Sequence, residues 1–239
     1  MDSSKPLAGQ AALVTGGTRG IGLAIARRLA EMGAAAALCG RDLAGAQKAA
    51  AELRQRGAEA HGFAADVSDS RQVEALVRDA NQALGDLNIL VNNAGIGLFA
   101  PAHQIREADW DRVMDTNLKG VWLCSKAVAG QMIRRGRGHI INISSLAGKN
   151  ANAGGGVYYA SKWGLQGLTY CMAEDLRAHG IRVSVICPGS VHTEFSPHAG
   201  KDPGRMLQPE DVAHAVAALV TQAPQSFISE VLLRPTRKP

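Results

Sequence analysis

The sequence predicts an α/β fold with a doubly wound, seven-stranded parallel sheet flanked by helices. Seven short apolar segments alternate with longer segments of helical periodicity along the 239 residues. Each short segment is almost continuously apolar, as expected for parallel strands that are buried on both faces. The repeated order of strand then helix favours right-handed crossovers within one sheet. Because no internal repeat, low-complexity tract or linker interrupts this pattern, a single domain over 1–239 is expected.

The element boundaries follow from the same pattern. Strands are predicted at 11–16, 34–40, 58–66, 88–95, 138–145, 181–189 and 229–235. Helices are predicted at 22–33, 44–57, 70–85, 109–136, 157–180 and 208–222. Five of these helices end in a glycine suited to a left-handed C-cap, namely Gly33, Gly57, Gly85, Gly136 and Gly180. The segment 189–208 lacks both periodicities and follows a strand end, where ligands bind in such sheets, so it is predicted to be a substrate lid.

Composition and charge exclude several classes of protein. Lys and Arg number 26 and Asp and Glu 21, which gives a net charge of +5 without a basic block, so no nucleic-acid partner is predicted. The N-terminal MDSSKPLAGQ lacks an apolar signal-peptide core, and no apolar run has membrane-spanning length. A cytoplasmic protein without membrane contact is therefore expected. Four separated cysteines and seven unpaired histidines predict no metal site, with the histidines in surface or loop positions.

A glycine-rich turn follows the first predicted strand and opens the first helix, in the segment VTGGTRGIG (14–22). Gly16 permits a tight turn, and Gly20 and Gly22 allow the backbone to approach a pyrophosphate at the helix N-terminus, where free N–H groups favour anions. The spacing matches neither a Walker loop nor the pattern G-x-G-x-x-G. On its own, the segment is also compatible with a turn that merely closes a β–α unit.

Several further motifs accompany this turn in a fixed order. They are NNAG (92–95), Asn117, Ser145, YYASK (158–162) and PG (188–189). Together with TGGTRGIG, these motifs resemble the short-chain dehydrogenase/reductase family over about residues 7–220, nearly the whole chain. The resemblance implies a Rossmann fold and hydride transfer between NADP(H) and a carbonyl compound or secondary alcohol. It also implies a homodimer or homotetramer, with the helices around 109–135 and 157–180 forming the main dimer interface.

The catalytic residues are implied by the same resemblance. Helix geometry alone places both Tyr158 and Tyr159 near Lys162 and does not choose between them. The family pattern Tyr-x-x-x-Lys selects Tyr158 with Lys162, and its serine thirteen residues earlier selects Ser145. Asn117 resembles the asparagine that holds a water in the family's proton relay. Because a neighbouring cation favours an ionised acid, Lys162 is expected to lower the pKa of the Tyr158 phenol.

Tyr159 has a different expected role from its neighbour. At about 100° per residue, Tyr159, Trp163 and Tyr170 share a stripe some 120° away from the Tyr158 face. Aromatic stripes on helices are more often packing surfaces than cofactor sites. Tyr159 is therefore expected to be structural or to lie in the dimer interface.

The cofactor is expected to be NADP(H). Gly40 ends the second strand where relatives that use NAD carry a carboxylate, while Arg41 and Arg19 supply cations for a 2′-phosphate. Asp42 is expected to cap the following helix. The resemblance implies cofactor contacts from Gly16, Thr18, Arg19, Gly20, Ile21, Gly22, Gly40, Arg41, Asp66, Val67, Asn93, Ala94, Gly95, Tyr158, Lys162, Pro188, Gly189, Val191 and Thr193.

The substrate remains open at this stage. One hypothesis is a 3-oxoacyl thioester on an acyl carrier protein, which basic residues near the helix ends could attract, namely Arg134, Arg135, Arg137 and Arg177. A second is a sugar, polyol, steroid or aromatic ketone, and a third is a cofactor-binding sensor without turnover. The lid is shorter than in family members of fatty-acid synthesis, and the C-terminus lacks their glycine-rich ending. These departures leave long acyl substrates and a tetramer in doubt.

Overall fold

Seven parallel strands form one sheet in the computed structural model of the chain, which describes residues 5–195 and 202–239. The strands are β1 (Ala11–Thr15), β2 (Ala35–Gly40), β3 (Ala60–Ala64), β4 (Leu87–Asn92), β5 (Gly138–Ile143), β6 (Ile181–Pro188) and β7 (Glu230–Leu233). The helices are α1 (Gly20–Glu31), α2 (Leu43–Gln55), α3 (Ser70–Leu84), α4 (Glu107–Met114), α5 (Gly120–Arg135), α6 (Gly156–Arg177) and α7 (Pro209–Val220). The predicted fold class is confirmed.

The order of strands places a topological switch at the centre of the sheet. The order is β3-β2-β1-β4-β5-β6-β7, so the chain leaves β1 towards one edge and returns at β4 on its other side. Such a switch opens a crevice at the carboxyl ends of the two strands, which is where open α/β sheets bind ligands. The loops that follow β1 and β4 are therefore the first places to look for a site.

Helices cover both faces of the sheet and bury two apolar layers. On one face, side chains of α1, α2 and α7 pack against the strands. On the other face, α3, α5 and α6 do the same. The inner strands β1, β4 and β6 are almost completely buried, which explains why their sequences are apolar without alternation. Among the described residues, no helix has the length and apolar character needed to cross a bilayer.

The predicted helix ends agree with the backbone. All five predicted C-terminal glycines have positive φ, between 63° and 96°. A positive φ is a conformation that glycine adopts without the Cβ penalty of other residues. Gly136 is left-handed, with a ψ of 23°, whereas Gly85 has a ψ of −165°, so the left-handed C-cap predicted at Gly85 is wrong. At the start of α2, the Asp42 carboxylate accepts hydrogen bonds from the backbone N–H groups of Ala44 and Gly45 at 3.3 and 2.8 Å. The predicted cap at Asp42 is confirmed.

The long helix predicted at 109–136 contains an irregular turn. It begins at Glu107, and α4 and α5 are joined through a π-helical segment, Asp115–Lys119. Such π segments insert an extra residue into a helical turn and occur frequently at functional sites. Asn117 lies at the centre of this segment and is completely buried.

The expectation that the histidines take surface or loop positions is wrong for His139. This residue lies in β5 and is 1% exposed. Its Nε2 hydrogen-bonds the Ser184 hydroxyl on β6 at 2.9 Å, and Ser184 donates in turn to the Ile228 carbonyl at 2.7 Å. Burial lowers the pKa of the imidazole to about 3, with a smaller contribution from Arg182. The histidine is therefore a neutral core residue, which the hydrogen bond to Ser184 allows.

Candidate active site

The glycine-rich turn between β1 and α1 has the shape of an anion cradle. Gly16 and Gly20 have φ of +62° and +52°, and a Cβ added at Gly22 would lie 2.2 Å from the Gly16 carbonyl oxygen. The residue at the N-cap of α1, Arg19, makes no side-chain capping hydrogen bond. The backbone N–H groups at the start of a helix favour anions, so this turn could hold a dinucleotide pyrophosphate. Thr18 and Ile21 belong to the same turn.

Asn93, at the end of β4, braces the glycine turn. Its side-chain amide donates to the carbonyl oxygens of Thr15 and Gly16 at 3.1 and 3.0 Å. The Thr15 hydroxyl accepts from the backbone N–H groups of Asn93 and Ala94, both at 3.1 Å. These bonds join the carboxyl ends of β1 and β4 at the topological switch. Thr15 was not predicted as a site residue, and the sequence carries no signal for it beyond its place before the turn.

The end of β2 is shaped by Thr18. A Cβ added at Gly40 would lie 2.7 Å from the Thr18 Cγ2, so a side chain at position 40 requires Thr18 to move. Arg41 follows and is exposed. Arg19 donates to the Glu194 carboxylate at 2.7 Å, which is a contact between the glycine turn and the base of the predicted lid.

The segment after β3 places Asp66 and Val67 near the same edge of the sheet. The Asp66 carboxylate accepts from the Ser68 backbone N–H at 2.9 Å and from the Ser68 hydroxyl at 2.7 Å. Val67 is buried against the start of α5, where a Cβ added at Gly120 would lie 2.9 Å from its Cγ2. Asp66 is thus held in one orientation, and the Val67 side chain packs against α5.

Tyr158 and Lys162 lie one turn apart on α6, and both are almost completely buried. The Lys162 ammonium donates to the Ile143 carbonyl oxygen at the end of β5, at 3.0 Å. It lies 5.9 Å from the centre of the Tyr158 ring. Two predicted catalytic groups are therefore brought to the carboxyl edge of the sheet, next to the strand that carries Ser145.

The expectation that Lys162 lowers the pKa of Tyr158 is wrong for this structure. Burial raises the pKa of the phenol to about 12, and a hydrogen bond with Ser145 offsets only part of that effect. Burial also lowers the pKa of Lys162 to about 8, because a buried ammonium is poorly solvated. The ammonium donates to the Ile143 carbonyl, and burial is the main cause of the raised pKa of the phenol. Tyr158 is therefore a neutral phenol at physiological pH.

The two serines after β5 face different surroundings. Ser145 accepts from the Ala147 backbone N–H at 3.1 Å and hydrogen-bonds Tyr158. Ser144 is buried and accepts from the Gln166 amide at 2.8 Å. The structure thus places Ser145, the serine selected from the sequence, beside the buried tyrosine.

Asn117 connects three parts of the site. Its amide accepts from the Ile96 backbone N–H at 2.8 Å and donates to the Ile96 carbonyl at 2.9 Å. It also donates to the Ser161 hydroxyl at 3.1 Å, and Ser161 donates to the Tyr158 carbonyl at 2.7 Å. The π segment of the long helix is thereby joined to the loop after β4 and to α6. Both N–H groups of the amide are used by these partners, whereas its oxygen, which accepts one hydrogen bond, has a second lone pair.

A family model described as short chain dehydrogenase matches residues 10–204 of this chain. The chain belongs to the short-chain dehydrogenase family. Its seven-stranded parallel sheet and the motifs at the carboxyl edge agree with that membership. The family predicted from the sequence is confirmed.

Three similar proteins illustrate the breadth of the family. A 2-(S)-hydroxypropyl-CoM dehydrogenase of Xanthobacter autotrophicus is 38% identical over 91% of this chain and 92% of its own. A 3-oxoacyl-[acyl-carrier-protein] reductase of Synechocystis is 35% identical over 93% of this chain and 94% of its own. A solved structure of a metagenomic short-chain oxidoreductase in complex with NADP is 46% identical, covers 98% of this chain and 100% of its own, and has a TM-score of 0.87.

Tyr159 lies on a different face of α6 from the buried Tyr158, as the helical spacing predicts. Its hydroxyl accepts from the Asn152 amide at 2.8 Å, and its ring meets the edge of the Tyr158 ring at 6.2 Å between centroids. Trp163 and Tyr170 continue along α6 and are exposed. The face of α6 that carries Trp163 and Tyr170 is therefore available to a partner.

The predicted lid is described only in part. Residues 196–201 lie outside the described residues. On either side of them, Val191 pairs with Leu207 in an isolated parallel bridge, and the Gly189 backbone N–H donates to the Leu233 carbonyl at 2.8 Å. Thr193 lies against the glycine turn, 3.4 Å from the position of a Cβ added at Gly20. Pro188, Gly189, Val191 and Thr193 therefore lie at the same edge of the sheet as the glycine turn and the buried Tyr158.

Proposed function

We propose that this protein is an NADP(H)-dependent oxidoreductase that interconverts a carbonyl compound and the corresponding secondary alcohol. The observation that carries the proposal is the buried pair of Tyr158 and Lys162 beside Ser145, at the edge of the sheet that also carries the glycine turn. A phenol, a hydroxyl and an ammonium at one apolar edge suit proton transfer to a carbonyl oxygen. The similarity to an oxidoreductase solved in complex with NADP supports the choice of cofactor.

The residues of this chain account for the movement of the proton. Bound NADPH supplies the hydride for the carbonyl carbon. Tyr158, whose pKa of about 12 keeps it protonated, donates its proton to the carbonyl oxygen, while Ser145 donates a hydrogen bond to that oxygen as negative charge develops. The Lys162 ammonium, held by the Ile143 carbonyl, then stabilises the phenolate that remains. Asn117 donates to Ser161, which donates to the backbone carbonyl of Tyr158, so Asn117 helps to position the proton donor.

The cofactor site combines the glycine turn with the strand ends beside it. Gly16, Thr18, Arg19, Gly20, Ile21 and Gly22 would receive the phosphates. Arg41 and Arg19 would bind a 2′-phosphate. The absence of a side chain at Gly40 makes room for the Thr18 side chain at the end of β2. The adenine and the nicotinamide half would meet Asp66, Val67, Asn93, Ala94, Gly95, Pro188, Gly189, Val191 and Thr193. Lys162 would also bind the ribose next to the nicotinamide.

Two substrate classes are considered, a 3-oxoacyl thioester and a free ketone. Several relatives are named ketoacyl reductases, including one from Streptomyces violaceoruber that is 45% identical over 81% of this chain and 71% of its own, which supports a 3-oxoacyl thioester. The arginines that could attract an acyl carrier protein are at the C-terminal ends of α5 and α6 or just beyond, at the amino ends of the strands. Tyr158 is at the opposite edge of the sheet, so these residues do not favour carrier binding beside it. A free ketone is the second class.

The assembly is proposed to be a homodimer formed through α4, α5 and α6. Large aromatic side chains are exposed on these helices, with Trp122, Trp163 and Tyr170 between 39% and 52% exposed. Exposed aromatic rings of this kind are enriched in protein interfaces. Sedimentation velocity of the wild type and of Trp163→Ala tests the dimer, which is expected to weaken in the variant.

The function is tested by following NADPH absorbance with a panel of carbonyl compounds. Acetoacetyl thioesters, free and linked to an acyl carrier protein, are compared with sugars and with aliphatic and aromatic ketones. Oxidation of NADPH that is lost in Tyr158→Phe supports the proposal. Tight NADPH binding without turnover of any compound would instead favour a cofactor-binding sensor, and turnover of free ketones alone would remove the carrier protein from the mechanism.

A further inference from the structure

Two phenylalanine rings from separate loops converge on Tyr158. The Phe99 ring, in the loop after β4, is 5.2 Å from the Tyr158 ring between centroids and tilted by 54°. The Phe195 ring, at the base of the lid, is 5.9 Å away and tilted by 53°. These distances and tilts are typical of aromatic contacts in proteins. The buried tyrosine is therefore bordered by aromatic surface supplied from two directions.

Both phenylalanines keep a large part of their surface exposed. Phe99 is 48% exposed and Phe195 43%, whereas Tyr158 is only 7% exposed. Large apolar side chains with free faces that cluster beside a buried functional group are typical of ligand sites. The rings stabilise little of the core in this arrangement, because neither belongs to the two buried apolar layers. Their free faces are available to a substrate.

Gly97 allows the two rings to approach each other. A Cβ added at Gly97 would lie 3.0 Å from the Phe99 Cε2 and 3.1 Å from the Phe195 Cε1. Both ring edges therefore lie against the same short piece of backbone, and a side chain at position 97 would push them away from it. The rings, the glycine and Tyr158 form one surface, which we call the aromatic mouth.

We propose that the aromatic mouth binds the substituent on the carbonyl carbon, and that the preferred substrates are ketones with an aromatic or bulky apolar group next to the carbonyl. This inference rests on the proposed function. Phenylalanine rings offer no hydrogen bond to the hydroxyl groups of a sugar or polyol, and burying those groups against the rings would cost free energy. An aryl group instead stacks or packs edge to face on the free faces of Phe99 and Phe195.

The test compares two α-keto esters that differ in one substituent. Ethyl benzoylformate carries a phenyl group on the reacting carbonyl, and ethyl pyruvate carries a methyl group. With NADPH, kcat/KM is expected to be at least roughly tenfold higher for ethyl benzoylformate, the discrimination that differences in apolar contact give in enzyme pockets. Equal values, or a preference for ethyl pyruvate, would overturn the aromatic mouth while leaving the proposed function intact. If neither ester nor any other ketone oxidised NADPH, the proposed function itself would fail.

Variants locate the preference on the two rings. Phe99→Ala and Phe195→Ala are each expected to reduce the aryl preference, the ratio of the two kcat/KM values, about fivefold or more. The matched control is Phe63→Ala, which removes a half-buried phenylalanine from β3 at the far edge of the sheet and should leave the preference unchanged. If an alanine variant fails to fold, the leucine variant at the same position removes the ring and keeps apolar bulk. An aryl preference that survives loss of both rings would refute the proposal.

Discussion

Arg19 in the glycine turn and Glu194 at the base of the lid form an ion pair with an N–O distance of 2.7 Å, although they are 175 residues apart in the chain. Both side chains are largely exposed, and exposed pairs contribute only about 0.2–1 kcal/mol. The same guanidinium is proposed to bind the 2′-phosphate of NADPH. Glu194 therefore competes with that phosphate for Arg19.

Replacing Glu194 by Gln is expected to tighten the binding of NADPH about two- to fivefold, because a weak competing pair is removed. Binding of NADH should not change, since it has no 2′-phosphate. Fluorescence titration of both cofactors measures the two Kd values. Glu210→Gln, at an exposed glutamate in the first turn of α7, is the matched control. The same gain for both cofactors would show that Arg19 does not meet the 2′-phosphate.

Arg41 provides the second test of cofactor choice. A charge-assisted contact is worth about 1.5–3 kcal/mol, so Arg41→Ala is expected to raise the KM for NADPH roughly ten- to 100-fold. The KM for NADH should change little. Steady-state kinetics with each cofactor provide the measurement, and Arg56→Ala, at an exposed residue just after α2, provides the control. Wild-type kcat/KM values that were equal for the two cofactors, or higher with NADH, would contradict the proposed preference.

The adjacent tyrosines are expected to separate cleanly in kinetics. Tyr158→Phe should bind NADPH normally and lose about 10²–10⁴-fold in kcat, the usual worth of one acid–base group. Tyr159→Phe loses only the hydrogen bond from Asn152 at the surface and should retain nearly full turnover. Circular dichroism and cofactor titration check that both variants fold. Equal losses of kcat would mean that the assignment of Tyr158 as the proton donor is wrong.

The fold and the site differ in how much of each could be predicted from sequence. Apolar segments buried on both faces and glycines after helices are local signals, so the predicted parallel sheet of seven strands and the positions of the helix ends agree with the structure. The π segment at Asn117 has no local signal, because it depends on hydrogen bonds to Ile96 and Ser161 on other elements. The burial that raises the pKa of Tyr158 and the pairing of Arg19 are likewise products of tertiary packing.

Lys162 is expected to impose a pH dependence on carbonyl reduction. Its pKa of about 8 means that the ammonium is present below pH 8 and is lost above it, while Tyr158 stays protonated up to about pH 12. Because the ammonium stabilises the phenolate formed on proton donation, kcat/KM for NADPH should fall as the pH rises through about 8. Lys162→Arg keeps its charge, so any activity that it retains should not show this fall. A fall at the same pH in the arginine variant would assign the ionisation to another group.

His139 is expected to make the fold sensitive to acid. In the unfolded chain its pKa is about 6.5, and burial lowers it to about 3 in the folded chain. As the pH falls below 6.5, the unfolded state binds a proton that the folded state does not, so stability is lost between pH 6.5 and 3. From pH 7.5 to 5.5 this residue alone should lower the free energy of unfolding by about 1.4 kcal/mol.

Urea unfolding of wild type and His139→Gln at both pH values measures the difference, because glutamine keeps a partner for Ser184 without titrating. The loss on acidification should be smaller by that amount in His139→Gln and unchanged in His103→Gln, at an exposed histidine. The same loss in all three proteins would mean that His139 is protonated equally in the folded and unfolded states.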